Sequence, residues 1–276
     1  MTAQTEQRVR HRRKALKRRA VIAGVAAFGI TGAAVVTSSL LSPAGAAASW
    51  PTAKGSKAVS STIKVSGTYD GRLTKFYGSG ALGDSGQEEG QDPVFQLADG
   101  AVLKNVIIGT PAADGVHCLG SCTLQNVWWL DVGEDAATFR GKSSSAVYKV
   151  HGGGARNADD KVLQFNGAGK LVVTKFQVER FGKLVRTCGN CSTQYKRTVI
   201  VNDVDVTAPG DSIVGINSNY GDTAALRKIR VHGDGAKKIK TCTRFQGNSS
   251  GKEPKELGTG PDGTSCRFSA SDITYQ

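Results

Sequence analysis

Three acidic and three basic residues of this chain have types and spacing that could carry out chemistry. Each lies in a polar break that is closely followed by a short apolar run. In chain order, they are Asp114, Glu134, Asp135, Lys161, Lys183 and Arg186. Carboxylates that come together are unfavourable unless a cation is bound, and oxygen ligands at irregular spacing suit Ca²⁺. A lysine or arginine whose pKa is lowered by neighbouring cations could take a proton from a substrate.

The elements that would position these residues are short β-branched runs separated by polar or Gly-rich segments. Six such runs begin 21 to 28 residues apart, at Leu103, Leu124, Ala146, Leu171, Thr198 and Leu226. No amphipathic helical pattern separates them, and each unit contains two further short strand-like segments. A period in the twenties with several strands per unit is typical of a solenoid. The sequence therefore predicts an all-β fold, a right-handed single-stranded parallel β-helix.

Stacking of successive coils would bring the six charged residues together. Residues one coil apart in a β-helix lie about 4.8 Å apart, which is the separation of neighbouring strands. We therefore expect the three acids to converge on one wall, with the three bases on the coils just beyond. Ordinary solvated surface charge is the alternative, but the similar placement in four successive units disfavours it.

Acids beside bases on a groove indicate chemistry on an acidic sugar. Calcium would bridge the protein carboxylates and a uronate carboxylate of the substrate, which acidifies the proton on the adjacent carbon. A basic side chain would remove that proton, and the other cations would stabilise the enolate-like charge that develops. The reaction expected from these residues is β-elimination across a glycosidic bond.

The net charge of +13 at first suggests a polyanionic partner such as nucleic acid. However, eight basic residues lie before Ala20, where an apolar run begins that ends near Leu41 and is followed by small residues. This pattern is typical of a bacterial export signal, so we predict a signal peptide over 1–48 and one secreted domain over 49–276. A retained membrane anchor is the alternative. The domain has 28 basic and 22 acidic residues, a net charge of +6, which weakens the argument for nucleic acid.

The cysteines fit the same oxidising compartment. There are six, an even number that can close as local disulfides. They are Cys118 and Cys122, Cys188 and Cys191, and the later pair Cys242 and Cys266. A zinc site built from the first four is the alternative, which is disfavoured because no histidine lies at zinc-finger spacing.

Four ordered segments of the chain resemble a known enzyme family. They cover 111–118, 127–136, 160–166 and 181–191, and they include the six charged residues. These segments closely resemble the third family of polysaccharide lyases, which are secreted pectate lyases of bacteria and plant-associated fungi. The resemblance extends from about Ile63 to the C-terminus.

The resemblance implies a compact parallel β-helix that depends on Ca²⁺ and cleaves polygalacturonate internally to 4,5-unsaturated products. Matched by motif, the three acids correspond to calcium ligands, and Glu89, which follows a second acid at Glu88, is a further candidate ligand. The three bases correspond to the catalytic and substrate-carboxylate-binding set. Among them we expect Lys161 to be the base, with Arg186 as the second choice. We expect an extracellular monomer that acts on pectate, with no nucleic acid and, after signal cleavage, no membrane as partner.

Two other functions stay open at this point. A polygalacturonase-type hydrolase would use two aspartates as acid and base with a water between them, and Asp159 and Asp160 could supply that pair. A non-catalytic β-helical module could bind pectate through the basic groove and would not need Lys161. Unsaturated products that disappear in EDTA would separate the lyase from both.

Overall fold

The computed structural model describes residues 49–84, 86 and 90–276. The predicted signal peptide and the candidate ligand Glu89 lie outside the described residues. The strands of the first half are β1 (Ser56–Val59), β2 (Ile63–Val65), β3 (Thr68–Gly78), β4 (Phe95–Leu97), β5 (Ala101–Ile108), β6 (Val116–Cys118), β7 (Cys122–Trp129) and β8 (Asp135–Phe139). Those of the second half are β9 (Val147–Phe165), β10 (Gly169–Thr174), β11 (Gln177–Thr187), β12 (Arg197–Asn217), β13 (Thr223–His232), β14 (Lys240–Gln246), β15 (Lys255–Thr259), β16 (Cys266–Arg267) and β17 (Ile273–Tyr275). Short 3-10 helices cover Gly80–Leu82, Ser218–Tyr220 and Ala270–Asp272.

The strands pair in three parallel columns, one along each face of the coils. The first column contains β2, β4, β6, β8, the last parts of β9, β11 and β12, and then β14. The second contains the first parts of β3, β5, β7 and β9, then β10, and the first parts of β12 and β13. The third runs from β1 through the later parts of β3, β5 and β7 to the end of β13. The predicted parallel β-helix is confirmed.

Stacked aliphatic side chains fill the interior of the β-helix. In the second column, residues paired from coil to coil form a continuous buried row of Leu103, Leu124, Val150, Val173, Val201 and Leu226. Burying one such side chain contributes roughly 1.5–3 kcal/mol. These are the β-branched and leucine-rich runs of the sequence, and their recurrence sets the period.

Asparagines form two of the corners between the second and third columns, on the coils of β5 and β7. Asn105 and Asn126 have positive φ angles of 53° and 55°, which asparagine tolerates better than most residues. Asn126 Nδ2 donates to Asn105 Oδ1 at 2.8 Å, and Asn105 Nδ2 donates to Asp70 Oδ1 at 3.0 Å. The side chains of these two corners are thus hydrogen-bonded to each other and to Asp70 on the preceding coil.

The cysteines form the three local disulfides Cys118–Cys122, Cys188–Cys191 and Cys242–Cys266. The first four thiols are therefore not available to bind zinc, and the zinc alternative is wrong. Within the described ranges, no helix is long and apolar enough to cross a membrane.

Candidate active site

The three predicted acids lie together where β6 and β8 begin. Asp114 is in the turn before β6, and Glu134 and Asp135 are at the start of β8. All three are buried, and one carboxylate oxygen from each lies within 4.8 Å of the others. Burial raises the pKa of Asp135 well above its usual value; Lys161 opposes this rise, and Glu134 and Asp114 add to it. The arrangement concentrates negative charge at a place that water barely reaches.

Two glycines allow the acid-bearing turns to stack closely. A Cβ atom on Gly115, whose φ is +49°, would lie 2.2 Å from the carbonyl oxygen of Ala136 on the next coil. A Cβ atom on Gly133 would lie 2.1 Å from the carbonyl oxygen of Ala113. These glycines therefore permit a backbone approach that side chains would block.

His117 orients the carboxylate of Asp114. Its Nε2 lies 2.5 Å from Asp114 Oδ2, and its Nδ1 lies 3.1 Å from Arg140 Nη1. An arginine can only donate, so Nδ1 accepts and Nε2 carries the proton that is donated to Asp114. The three-residue separation of Asp114 and His117 is the signal in the sequence for this local contact.

The acid cluster fits a hard divalent cation such as Ca²⁺. Within the described part of the chain, Asp114 Oδ1 and Asp135 Oδ1 are buried and have no hydrogen-bond partner. Lys161 Nζ lies 3.8 Å from Asp135 Oδ1, which is an ion pair but too long for a hydrogen bond. Buried oxygens without partners are unfavourable, and an oxygen-preferring cation would satisfy both of them.

Lys161 and Lys183 continue the row of side chains that begins with Asp135. Asp135 pairs with Lys161 and Lys161 with Lys183 on successive coils, as the stacking argument predicts. Asp160 bridges the two lysines, with its Oδ2 2.6 Å from Lys161 Nζ and its Oδ1 3.0 Å from Lys183 Nζ. Burial lowers the pKa of Lys161, but Asp135, Asp160 and Glu134 outweigh burial and leave this pKa above its usual value. Two of the acids that raise this pKa, Asp135 and Glu134, belong to the acid cluster, and a cation bound there would oppose the rise.

Arg186 lies three residues beyond Lys183 in β11 and has a different environment. It is 6% exposed, and burial lowers its pKa to about 10. Its Nη1 donates to the carbonyl oxygen of Thr187 at 2.6 Å and to Asn217 Oδ1 at 3.1 Å, and its guanidinium carbon lies 4.0 Å from the ring centre of Phe245. These neighbours are neutral, so no carboxylate pairs directly with the guanidinium in the described residues.

The three bases line one cleft, and the three acids line a pocket next to it. The cleft is lined by Asp160, Lys161, Gln164, Lys183, Arg186, Gly189, Asn190, Glu253 and Pro254. Gln164 also lines the acid pocket, so the two spaces meet at this residue. Four residues of this cleft were not among the predicted site residues: Gln164, Asn190, Glu253 and Pro254. Neither their charge nor their position in the sequence indicates that they line the cleft.

The aspartates considered for a hydrolase are poorly placed for that role. Asp159 is exposed, whereas Asp160 is hydrogen-bonded to both lysines. Burial would raise the pKa of Asp160, but Lys161 and Lys183 lower it below its usual value. A glycosidase acid needs a raised pKa, so this pair does not supply the acid that a hydrolase requires.

Comparisons with known proteins agree with this site. The family model described as pectate lyase matches residues 47–252. Probable pectate lyase E of Neosartorya fischeri is 51% identical to this chain, over 79% of this chain and 83% of its own length. Pectate lyase E of Emericella nidulans is 50% identical, over 79% of this chain and 84% of its own length.

Solved structures give the same result. The catalytic domain of pectate lyase PelI from Erwinia chrysanthemi superimposes with a TM-score of 0.68, at 32% identity over 80% of this chain and all of that domain. A structure of the same enzyme in complex with tetragalacturonic acid has a TM-score of 0.67, at 33% identity over 79% of this chain and 70% of that one. Sequence, fold and family model lead to one conclusion: the chain belongs to the pectate lyase family.

Proposed function

We propose that this protein is a calcium-dependent pectate lyase that cleaves α-1,4-polygalacturonate by β-elimination and releases 4,5-unsaturated oligogalacturonates. The observation that carries the proposal is a buried acid cluster with two unpartnered carboxylate oxygens beside a cleft that contains three cationic side chains. The tetragalacturonic acid bound by the PelI structure supports a polygalacturonate substrate.

Asp114, Glu134 and Asp135 would hold the calcium ion, and Glu89 is a candidate for a further ligand. When bound, the ion supplies positive charge to a uronate carboxylate of the substrate and makes the proton on the adjacent carbon more acidic. His117 keeps Asp114 in the orientation that leaves its Oδ1 free to face the cluster. These residues therefore form the binding part of the site.

Lys161 and Lys183 bind and stabilise negative charge on the substrate. Both are held by Asp160 in the cleft. Fixed cations in a partly buried cleft stabilise a developing enolate-like charge without reorganisation.

Lys161 and Arg186 are the two candidates for the base, in the order expected from the sequence. A base must lose its own proton before it can take one from carbon, and burial makes this easier for Arg186 by lowering its pKa to about 10. Its guanidinium is also held in a fixed orientation by Thr187 and Asn217. Proton abstraction and rupture of the glycosidic bond then leave a double bond in the product.

The test is an assay for ultraviolet-absorbing unsaturated product from polygalacturonate with calcium, with EDTA, and after calcium is restored. We expect activity only with calcium. Arg186→Ala is expected to lower kcat by about 10²–10⁴-fold, and Lys161→Ala to lower kcat/KM strongly, whereas the exposed Lys170→Ala serves as a control. New reducing ends without unsaturated product would indicate a hydrolase, and binding without cleavage would indicate a non-catalytic module. Near wild-type turnover in both variants would overturn the mechanism.

We also propose that the protein is exported and acts outside the cell as a monomer. Residues 1–48 have the basic, apolar and small-residue regions of an export signal, and the disulfides suit an oxidising compartment. N-terminal sequencing of protein recovered from the medium should give a first residue near Ser49. Protein that stays with the membrane and keeps its first 48 residues would support an anchor instead.

A further inference from the structure

One wall of the cleft carries an acidic side chain, Glu253, whose neighbours leave it free. The other acid of the cleft, Asp160, is hydrogen-bonded to both lysines. Glu253 is exposed, and it forms neither a hydrogen bond nor an ion pair within the part of the chain that the structure describes. A negative charge is unexpected on the wall of a cleft that takes a polyanion, so Glu253 needs an explanation.

The loop that carries Glu253 is fixed to the turn closed by the disulfide Cys188–Cys191. The backbone N–H of Asn248 donates to the carbonyl oxygen of Gly189 at 2.8 Å. Asn248 Nδ2 also donates to the carbonyl oxygen of Lys252, the residue before Glu253, at 2.8 Å. These hydrogen bonds hold the backbone next to Glu253 in place although the loop lies at the surface.

Pro254 brings the same loop close to Arg186. A Cβ atom on Gly189 would lie 2.5 Å from Pro254 Cγ and 2.5 Å from Arg186 Nη2. Burial lowers the pKa of Arg186, and the carboxylates of Asp222 and Glu253 oppose this change. Glu253 is therefore near enough to Arg186 to act on charge in the cleft.

A polygalacturonate chain would bring more than one carboxylate into this cleft. The sugar that reacts needs its free carboxylate, whereas a neighbouring sugar does not. A glutamate carboxylate repels a sugar carboxylate but can accept hydrogen bonds from sugar hydroxyls. A methyl ester removes the charge of a galacturonate and leaves its hydroxyls in place, so it removes only the repulsion.

We propose that Glu253 is a specificity-determining residue that disfavours a free carboxylate on the sugar bound beside it and favours a methyl-esterified galacturonate at that position. This inference rests on the proposed function, and it does not depend on which cation is the base. Chains in which esterified sugars alternate irregularly with free ones would be cut preferentially where an esterified sugar lies against Glu253.

The test compares a partly methyl-esterified pectin with the pectate made from it by a pectin methylesterase, so that both substrates have the same backbone. The quantity measured is kcat/KM for unsaturated product at saturating calcium. Glu253→Gln should raise kcat/KM on pectate about three- to fivefold and leave that on pectin within about twofold, because the lost repulsion acts on free carboxylates. Glu253→Lys should change the ratio of the two values further in the same direction. Both effects should shrink at high salt, which screens exposed charges.

Glu256→Gln is the matched control. Glu256 is exposed three residues further along the chain, lies 3.1 Å from Lys240 and does not line the cleft. Its removal should leave the ratio of kcat/KM on pectin to that on pectate as in wild type. An equal change of this ratio in Glu256→Gln would show a general effect of charge. A change by the same factor on both substrates in Glu253→Gln would show an effect through Arg186 or the fold, and either result would overturn the proposal.

The positions of the methyl esters in the products give an independent measurement. Mass spectrometry of the unsaturated oligomers locates each ester relative to the new double bond. Wild type should enrich esters at one position, and Glu253→Gln should lose this enrichment; the same pattern in both proteins would contradict the proposal. If wild type makes no unsaturated product, the proposed function fails and this inference with it. If wild type cleaves but neither the ratio nor the ester pattern changes in Glu253→Gln, only this inference is wrong.

Discussion

At the scale of single residues, the neighbours of a charge decide what it can do in this cleft. Lys161 and Arg186 are both cations on adjacent coils. Lys161 lies among Asp135, Asp160 and Glu134, and its pKa is raised despite burial. Arg186 lies among backbone carbonyls, an amide and an aromatic ring, and burial lowers its pKa to about 10. The two cations therefore differ in electrostatic environment: carboxylates surround Lys161, whereas neutral groups contact Arg186.

Asp135→Asn tests the acid cluster at this scale. Wild type should gain thermal stability with calcium, by about 4 kcal/mol when calcium is present at a thousand times its Kd. The variant should lose most of this gain, because one of the buried carboxylates is neutral, while its calcium-free stability stays within about 1 kcal/mol of wild type. Melting curves with and without calcium measure both quantities. Asp159→Asn, at an exposed neighbouring position, is the control, and an equal calcium shift in all three proteins would contradict the assignment.

The convergence of the charged residues could be predicted from the sequence, whereas their electrostatics could not. One residue per coil at similar positions is enough to place Asp135, Lys161 and Lys183 in one row. The environment of Arg186 depends on Asn217 and Phe245, which come from later coils and carry no charge pattern. Such contacts depend on the register of distant strands, so sequence reasoning had no signal for them.

At the scale of elements, the tight turns before β6 and β8 set the distance between the acids. Gly133→Ala would place a Cβ 2.1 Å from the carbonyl oxygen of Ala113 and force these turns apart. We expect a loss of stability of about 1–3 kcal/mol and a smaller shift with calcium. Gly67→Ala is the control, because nothing lies within 4 Å of its added Cβ and its effect should stay within about 0.5 kcal/mol. Denaturant unfolding with and without calcium compares the free energies of unfolding of the two variants. Equal losses of stability in Gly133→Ala and Gly67→Ala would contradict the role of the tight turns.

The third column is joined by a charged cluster between β12 and β13. Arg230 Nη2 lies 2.7 Å from Asp205 Oδ2, and His232 Nε2 lies 2.7 Å from Asp205 Oδ1. Burial would raise the pKa of Asp205, but its hydrogen bonds to Arg230 and His232 lower it. A carboxylate with a lowered pKa stabilises the fold above its unfolded pKa, and this contribution is lost as the pH falls through the folded value.

Asp205→Asn should therefore destabilise the protein in a way that depends on pH. Near neutral pH we expect a loss of about 2–4 kcal/mol, because Arg230 and His232 lose a buried partner. The difference from wild type should begin to shrink as the pH falls through about 4, where Asp205 becomes protonated in the unfolded chain, and should be lost as the pH falls through its lowered folded-state pKa. Urea unfolding of wild type and variant at several pH values measures the difference in their free energies of unfolding. A difference that does not change with pH would indicate lost packing instead.

The period of the elements could be predicted better than their register. The third apolar run begins at Ala146 and β9 begins at Val147, yet Leu124, the first residue of the second run, pairs with Val150 and not with the first residue of the third. Alternation of apolar residues determines which side chains point inward, but the loops between coils differ in length and shift the pairing. The fold class therefore follows from the recurring runs, while individual pairs need the structure.

At the scale of the whole molecule, a β-helix must be stabilised at both ends because its core is open there. Trp50, which precedes β1, contacts the middle coils and does not cover an end: its Nε1 donates to Glu179 Oε1 in β11 at 2.8 Å, and its ring lies 5.2 Å from that of Trp128 in β7. Near the C-terminus, β15 pairs antiparallel with β14, and β16 and β17 pair with β13. Cys242–Cys266 joins β14 to β16, so this disulfide ties the last coil to the C-terminal strands.

Removal of Cys242–Cys266 should destabilise the protein more than removal of a short disulfide. Its cysteines are 24 residues apart, whereas those of Cys118–Cys122 are 4 apart. The chain-entropy relation gives about 3.5 kcal/mol for the longer loop and about 2 kcal/mol for the shorter one, because the longer link removes more freedom from the unfolded chain. Urea unfolding of the two double Cys→Ser variants measures the difference. If both variants lose the same stability, the longer Cys242–Cys266 loop stabilises the protein no more than the short Cys118–Cys122 loop does. The last coil would then be held to the C-terminal strands by strand pairing alone.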